Sequence, residues 1–149
     1  MRKFFFLSMF ALLFAACSSL DHKSQVGLTG NWTISQVSYP NSDYIKVNSF
    51  DIADSKCFEG STWRFVSNNN SGNMMLNKTG CPSFTSPIVW TVTKEGAFTL
   101  KITEGEKGKR VTQGYMLQMR NQSESSFQLV DNVSIGGKNV EVVYQFQKM

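Results

Sequence analysis

The chain has 149 residues, 13% of them aromatic and 17% charged, with a formal net charge of +4 at pH 7. That length holds one domain and not two good ones, and the aromatic content is that of a folded chain, not a disordered one. The first 16 residues carry Arg2 and Lys3 and no acid, so a form lacking them has a charge of about +2, too mild to imply a nucleic-acid partner.

Residues 1–16 read as a signal peptide. Arg2 and Lys3 open it, an apolar run over 4–13 follows, broken only by Ser8, and Phe14-Ala15-Ala16-Cys17 closes it like a lipoprotein cleavage box. The run is too short for a permanent anchor, which takes about 20 apolar residues. Cys17 is then the lipidated N-terminus of the processed protein, and its two or three acyl chains suffice as the sole anchor. Ser18, where inner-membrane retention would call for Asp, points to the outer membrane, with the periplasmic or surface face left open. Residues 17–29 are expected to be the lipidated cysteine and a flexible tether, since 18–27 is polar and short of aromatics. The folded domain is expected over 30–149.

From Gly30 onward the apolar residues follow period two, in short runs separated by Gly, Asn, Ser and Lys clusters, and no segment reads as a helix. Two less regular strands over 32–37 and 44–50 flank Pro40. Trp63 and Phe65 alternate with Thr62 and Arg64, and the stretch 67–73 turns the chain into Met74, Met75 and Leu76. Ile88, Trp90 and Val92, then Phe98, Leu100 and Ile102, form the clearest hairpin, around Lys94-Glu95-Gly96. After the charged stretch 104–109 come Tyr115, Leu117 and Met119, then Phe127 and Leu129. The turn 134–138 leads to a last strand over 140–146 that sends Val140, Val142, Tyr144 and Phe146 one way.

Connections this short force antiparallel neighbours, and closing the meander removes two exposed edges. The expected fold is all-β, an up-and-down barrel of eight or nine strands. Its outer faces carry Thr, Lys, Arg, Gln and Glu, so it is not a membrane-spanning barrel. Trp63, Phe65, Trp90, Phe98, Tyr115, Leu117, Tyr144 and Phe146 point inward. They are either simply the core or the wall of an apolar pocket, because an eight-stranded barrel is just wide enough for either.

Cys57 and Cys81 remain once Cys17 is assigned to lipid, and an oxidising compartment pairs them as a disulfide. Two cysteines without a CxxC pair, and a sole histidine, His22, in the tether, make no zinc site, and no other metal or cofactor signature is present. A nucleophile triad lacks its base. Asp51, Asp54, Glu59, Glu104, Glu106, Glu124 and Asp131 show no spacing that singles out a catalytic pair and read as solvated surface charge. An enzyme is not expected.

Gly30-x-Trp32 at the opening strand resembles the first signature of lipocalins. The wider pattern adds Cys57-Phe58, Trp63-x-Phe65, Cys81, Trp90 and the closing Tyr144-x-Phe146-x-Lys148. It is similar to the lipocalin-like domain of small, mostly uncharacterised lipoproteins of Bacteroidetes, from Gly30 to the end of the chain. The resemblance implies that Trp32 plugs one barrel end against a cation, with Arg120 and Lys148 as the two candidates. A Thr-Asp-Tyr second signature is absent, as is the chain length for a C-terminal helix. The resemblance implies an envelope lipoprotein that binds a small apolar or amphipathic ligand; the alternative is a filled barrel serving as a structural, accessory or inhibitory partner of an envelope protein. A lysozyme-inhibitor-like barrel fits poorly, because a slightly basic protein is a poor match for basic lysozymes.

Overall fold

A computed structural model describes residues 21–42, 46–103 and 114–149. In chain order the elements are α1 (His22–Gly27), β1 (Gly30–Ser38), β2 (Asn48–Ser49), β3 (Ala53–Asp54), a 3-10 turn (Ser55–Phe58), β4 (Thr62–Val66), β5 (Ser71–Leu76), β6 (Phe84–Val92), β7 (Ala97–Ile102), β8 (Tyr115–Arg120), β9 (Ser126–Ile135) and β10 (Lys138–Lys148). Eight strands close an antiparallel barrel in the order β1-β10-β9-β8-β7-β6-β5-β4, with β1 pairing β4 to complete the ring.

The remaining pair, β2 and β3, forms its own two-stranded sheet. The strand expected over 44–50 is therefore extended only at Asn48–Ser49 and lies outside the barrel; residues 43–45 are not among those described. The reason is that β1 is already paired on both sides, to β10 and β4, and the barrel offers no free edge.

Side-chain alternation fixes which residues fill the interior. On β1 the register slips between Ile34 and Gln36, so Trp32, Ile34 and Val37 are buried while Ser35 and Gln36 both face out. This bulge is the irregularity that blurred the period of the strand. Two strands away, beyond β4, β5 starts earlier than expected, at Ser71, and the turn before it shrinks to 67–70. Gly72 lies within that strand because a Cβ there would sit 1.9 Å from the backbone oxygen of Arg64. The β9–β10 hairpin turns on Gly136 and Gly137, with φ of 57° and 79°, the left-handed pair that a two-residue hairpin requires.

The two barrel ends are built differently. At the end where β1 starts and β10 finishes, the connections are short and α1 lies alongside, with the Asp21 amide bonded to the Val92 carbonyl at 2.9 Å. Leu28 is fully buried and Gln25 nearly so. Of the tether expected over 17–29, the described part is instead helical over His22–Gly27 and docked through Leu28; residues 17–20 are not among those described. The apolar Leu28 docks into the core and carries the preceding turn of helix with it. At the opposite end residues 46–61, the described part of the connection that leads into β4, fold back as a lid. Cys57 of the lid is joined by a disulfide to Cys81 in the β5–β6 connection. Every barrel strand and the bridge lie within residues 30–148, so the chain from residue 21 on closes upon itself.

Candidate functional site

Most of the aromatic rings are concentrated in one half of the interior, among buried aliphatic side chains such as Ile34, Ile88 and Val92. In the lower half, near α1, large rings fill the bore. The Phe65 ring has its centroid 5.3–6.3 Å from those of Trp63, Trp90, Phe98, Phe127 and Phe146. Phe127 and Phe146 stack at 4.5 Å, and Trp90 and Phe98 at 5.9 Å. Trp32 closes this end: its ring meets Phe127 edge-on at 4.8 Å and its indole N–H donates to the Leu28 carbonyl at 2.9 Å. The Lys148 ammonium lies 5.5 Å over the Trp32 ring. Arg120 does not share this place. It projects outward at the end of β8 and pairs with Glu141 at 3.2 Å. The alternation that buries Leu117 and Met119 turns position 120 to solvent.

The upper half is lined differently. The inward positions there are Val37, Leu76, Ser86, Leu100, Leu117 and Val142, with the two phenols Tyr115 and Tyr144. Over them sits the lid. Phe50 points down at its tip, held among Phe58, Tyr115 and Tyr144 with centroids 5.4, 5.1 and 5.5 Å away. Phe50 and its neighbour Asp51 both have left-handed backbone, with φ of 55° and 54°. For non-glycine residues each such conformation costs about 1–3 kcal/mol, and the burial of Phe50 offsets that cost here.

Polar groups punctuate this mouth. The Ser49 and Tyr144 hydroxyls share a buried hydrogen bond of 2.5 Å, and the Tyr115 hydroxyl donates to the Asp51 carboxylate at 3.2 Å. Asp131 pairs across the sheet with the fully buried Val142, so its carboxyl is on the inner face. Burial raises its pKa above the ordinary 3.8. Burial, together with the negative charge of Asp51, pushes the Tyr115 phenol up to about 12; burial also raises Tyr144, and the charge of Asp131 acts on both phenols. Asp131 was expected as solvated surface charge. Its place is instead inward, because β9 extends six residues past Leu129 and keeps its period.

The lid is anchored at its base. Glu59 accepts the Val37 amide at 3.1 Å and meets Lys56 and Lys78 at 3.9 and 3.5 Å, while Lys56 donates to the Val37 carbonyl. Tyr39 and Ser55 share a hydroxyl hydrogen bond. The chain therefore has a lid that is fixed at its root and strained at its tip.

The inward residues named from sequence fall into two groups. Trp63, Phe65, Trp90, Phe98 and Phe146 belong to the ring-packed lower half, whereas Tyr115, Leu117 and Tyr144 line the mouth. Phe50 and Ser49 are not singled out by the sequence, and Asp131 reads there as surface charge. Asp131 was within reach of the pattern, since 127, 129 and 131 share one face of a continuing strand; nothing in the sequence marks Phe50 as a lid. Among the described residues no group of His, Cys, Asp and Glu is arranged to hold a metal. Cys17 and the signal peptide lie outside the described residues.

The profile of the lipocalin-like domain family matches residues 28–119, more than half of the sequence, and the chain belongs to that family. Among solved structures it is similar to a lipocalin-like protein from Bacteroides uniformis, at 15% identity over 83% of this chain and 99% of that one, with a TM-score of 0.49. An uncharacterized protein from Bacteroides eggerthii matches at 12% identity over 82% and 99%, TM-score 0.47. Bovine odorant binding protein in complex with a selenium-containing odorant matches at 12% identity over 84% and 72%, TM-score 0.47. No curated protein matches the sequence.

Proposed function

We propose that this member of the lipocalin-like domain family is a lipid-anchored binding protein of the bacterial cell envelope, one that holds a small apolar or amphipathic molecule beneath its lid. The observation that carries the reading is the concentration of rings in one half of the interior. Rings fill the lower half, and a strained, disulfide-clamped flap covers an upper half lined by smaller and hydroxyl-bearing side chains. A barrel serving only as a scaffold has no need of a cover held in left-handed backbone at its tip. The chemistry at the mouth is that of binding, with apolar wall and a few polar groups that orient a guest.

The anchor places this mouth. With Cys17 lipidated, only four peptide steps separate it from Asp21, a reach of about 14 Å at full extension. Asp21 is docked on the ring-filled end. That end then faces the outer membrane, and the lidded mouth points away from it.

N-phenyl-1-naphthylamine, an uncharged fluorophore at neutral pH, tests the site. A saturable enhancement at one equivalent supports it; a rise linear in probe, without saturation, refutes it. For the anchor, Cys17→Ala abolishes acyl labelling and releases the protein from membranes, and persistent labelling refutes the assignment. A second reading, an accessory protein with a filled barrel, draws on the ring packing around Phe65 and predicts no saturable probe site.

A further inference from the structure

Phe50 is seated as a guest would be. Three rings surround it, and the backbone that delivers it is strained at two successive residues. Withdrawal of Phe50 relieves that strain and empties a seat bounded by Phe58, Tyr115 and Tyr144. The electrostatics of the emptied seat favour one charge sign. Ring faces carry negative potential, and Tyr144, stacked on Phe50, presents its face to the seat, where it attracts a cation. The carboxyl of Asp131 lies on the inner face one alternation nearer the rim than Leu129, which pairs with Tyr144. Among the described residues no ion pair reaches it. Asp51 adds a second carboxylate at the lid tip, hydrogen-bonded to Tyr115. Of the described cations near the lid, Lys56 and Lys78 are engaged with Glu59 at its root, and Lys46 is exposed to solvent.

We propose that the mouth takes a small amine on an apolar body, which displaces Phe50 from its three-ring seat and sets its ammonium against the Asp131 carboxylate. This deepens the binding reading above and rests on it. The apolar body would extend down toward Leu117, Leu100 and Val142, as far as the ring-packed lower half. An anion of the same shape would meet two carboxylates and the face of Tyr144, so the site selects against fatty acids.

The test compares n-octylamine with n-octanol, matched in length and differing in charge, by calorimetry on the processed protein from residue 18 on. Octylamine is expected to bind at least ten-fold more tightly than octanol to the native protein. Asp131→Asn is expected to bring the octylamine and octanol affinities together, and Asp131→Ser provides a second neutral variant should the first fail to fold. Phe50→Ala tightens both compounds about ten-fold by emptying the seat, with Phe50→Leu as the gentler variant that keeps the lid apolar. Equal affinities for the two compounds overturn the amine inference and leave the apolar site standing. A preference that survives in the Asp131 variants overturns the role of that carboxylate. Absence of binding by either compound, in the native protein and in both Phe50 variants, overturns the binding reading with it.

Discussion

Removal of the Cys57–Cys81 bridge is the perturbation whose cost the structure allows to be worked out. The residues are 24 apart in sequence, and the bridge joins the lid to the β5–β6 connection. Closing a loop of that length in the unfolded chain is worth roughly 3.5 kcal/mol in the chain-entropy model. The double variant Cys57→Ala with Cys81→Ala is the form to use, since a single substitution leaves a thiol free for exchange. For a domain of this size a loss of that order lowers Tm by about 10–15 °C. Thermal and urea unfolding, followed by far-UV circular dichroism, measure it. The urea slope is expected to rise as well, because the unfolded chain without its cross-link exposes more surface. A loss under about 1 kcal/mol with an unchanged slope would refute the reasoning, showing that the bridge does not constrain the unfolded state.

At the ring-filled end, Trp32→Ala should cost about 3–5 kcal/mol, from a fully buried ring and its indole hydrogen bond. Lys148→Met should cost about 0.5–1 kcal/mol by removing the cation over that ring, and Arg120→Met less than about 0.5 kcal/mol, as an exposed ion pair gives little; an equal loss in the two would contradict the assignment of Lys148 to Trp32. Gly72→Ala should destabilise by more than about 2 kcal/mol, because the new Cβ would collide with the Arg64 carbonyl and one strand must shift. Asp131 binds its proton more tightly in the folded chain, so its contribution to stability is full below the unfolded value near 3.8 and is lost as pH rises through the higher folded value. Asp131→Asn should flatten that fall in a pH series of melts, and an unchanged profile would mean that the carboxyl is solvated. Tyr115 titrates near 12 in the fold, so tyrosinate absorbance should lag behind that of the unfolded chain above pH 10, and stability should fall there as pH rises.

The barrel itself was legible because period two is a local signal and short connections dictate antiparallel pairing. Strands such as β4, β6 and β7 alternate cleanly, and their inward residues are the buried ones. The pairing of Cys57 with Cys81 followed from counting cysteines. What stayed hidden depends on long-range packing. The 39–61 connection has no period of its own, so its strand-like residues read as barrel strand when β1 had no edge left to offer. Leu28 has one apolar neighbour in a polar stretch and became core only because the open end of the bore needed filling. The division of the inward residues between the two halves comes from register. Trp63 pairs with Trp32, and Tyr144 with Leu129 and Val37, relations that no single strand displays.

The central claim is that the upper half of the barrel holds a small molecule, and native mass spectrometry of the protein purified from the organism that makes it tests that most directly. The account predicts a reproducible mass above that of the same protein measured after denaturation. Leu117→Trp, which fills the mouth from its inner wall, should abolish that added mass, while Met116→Trp on the exposed face of the same strand should retain it. A clean mass with no added species in the native protein would contradict the claim, as would a passenger equally retained by the Leu117 and Met116 variants.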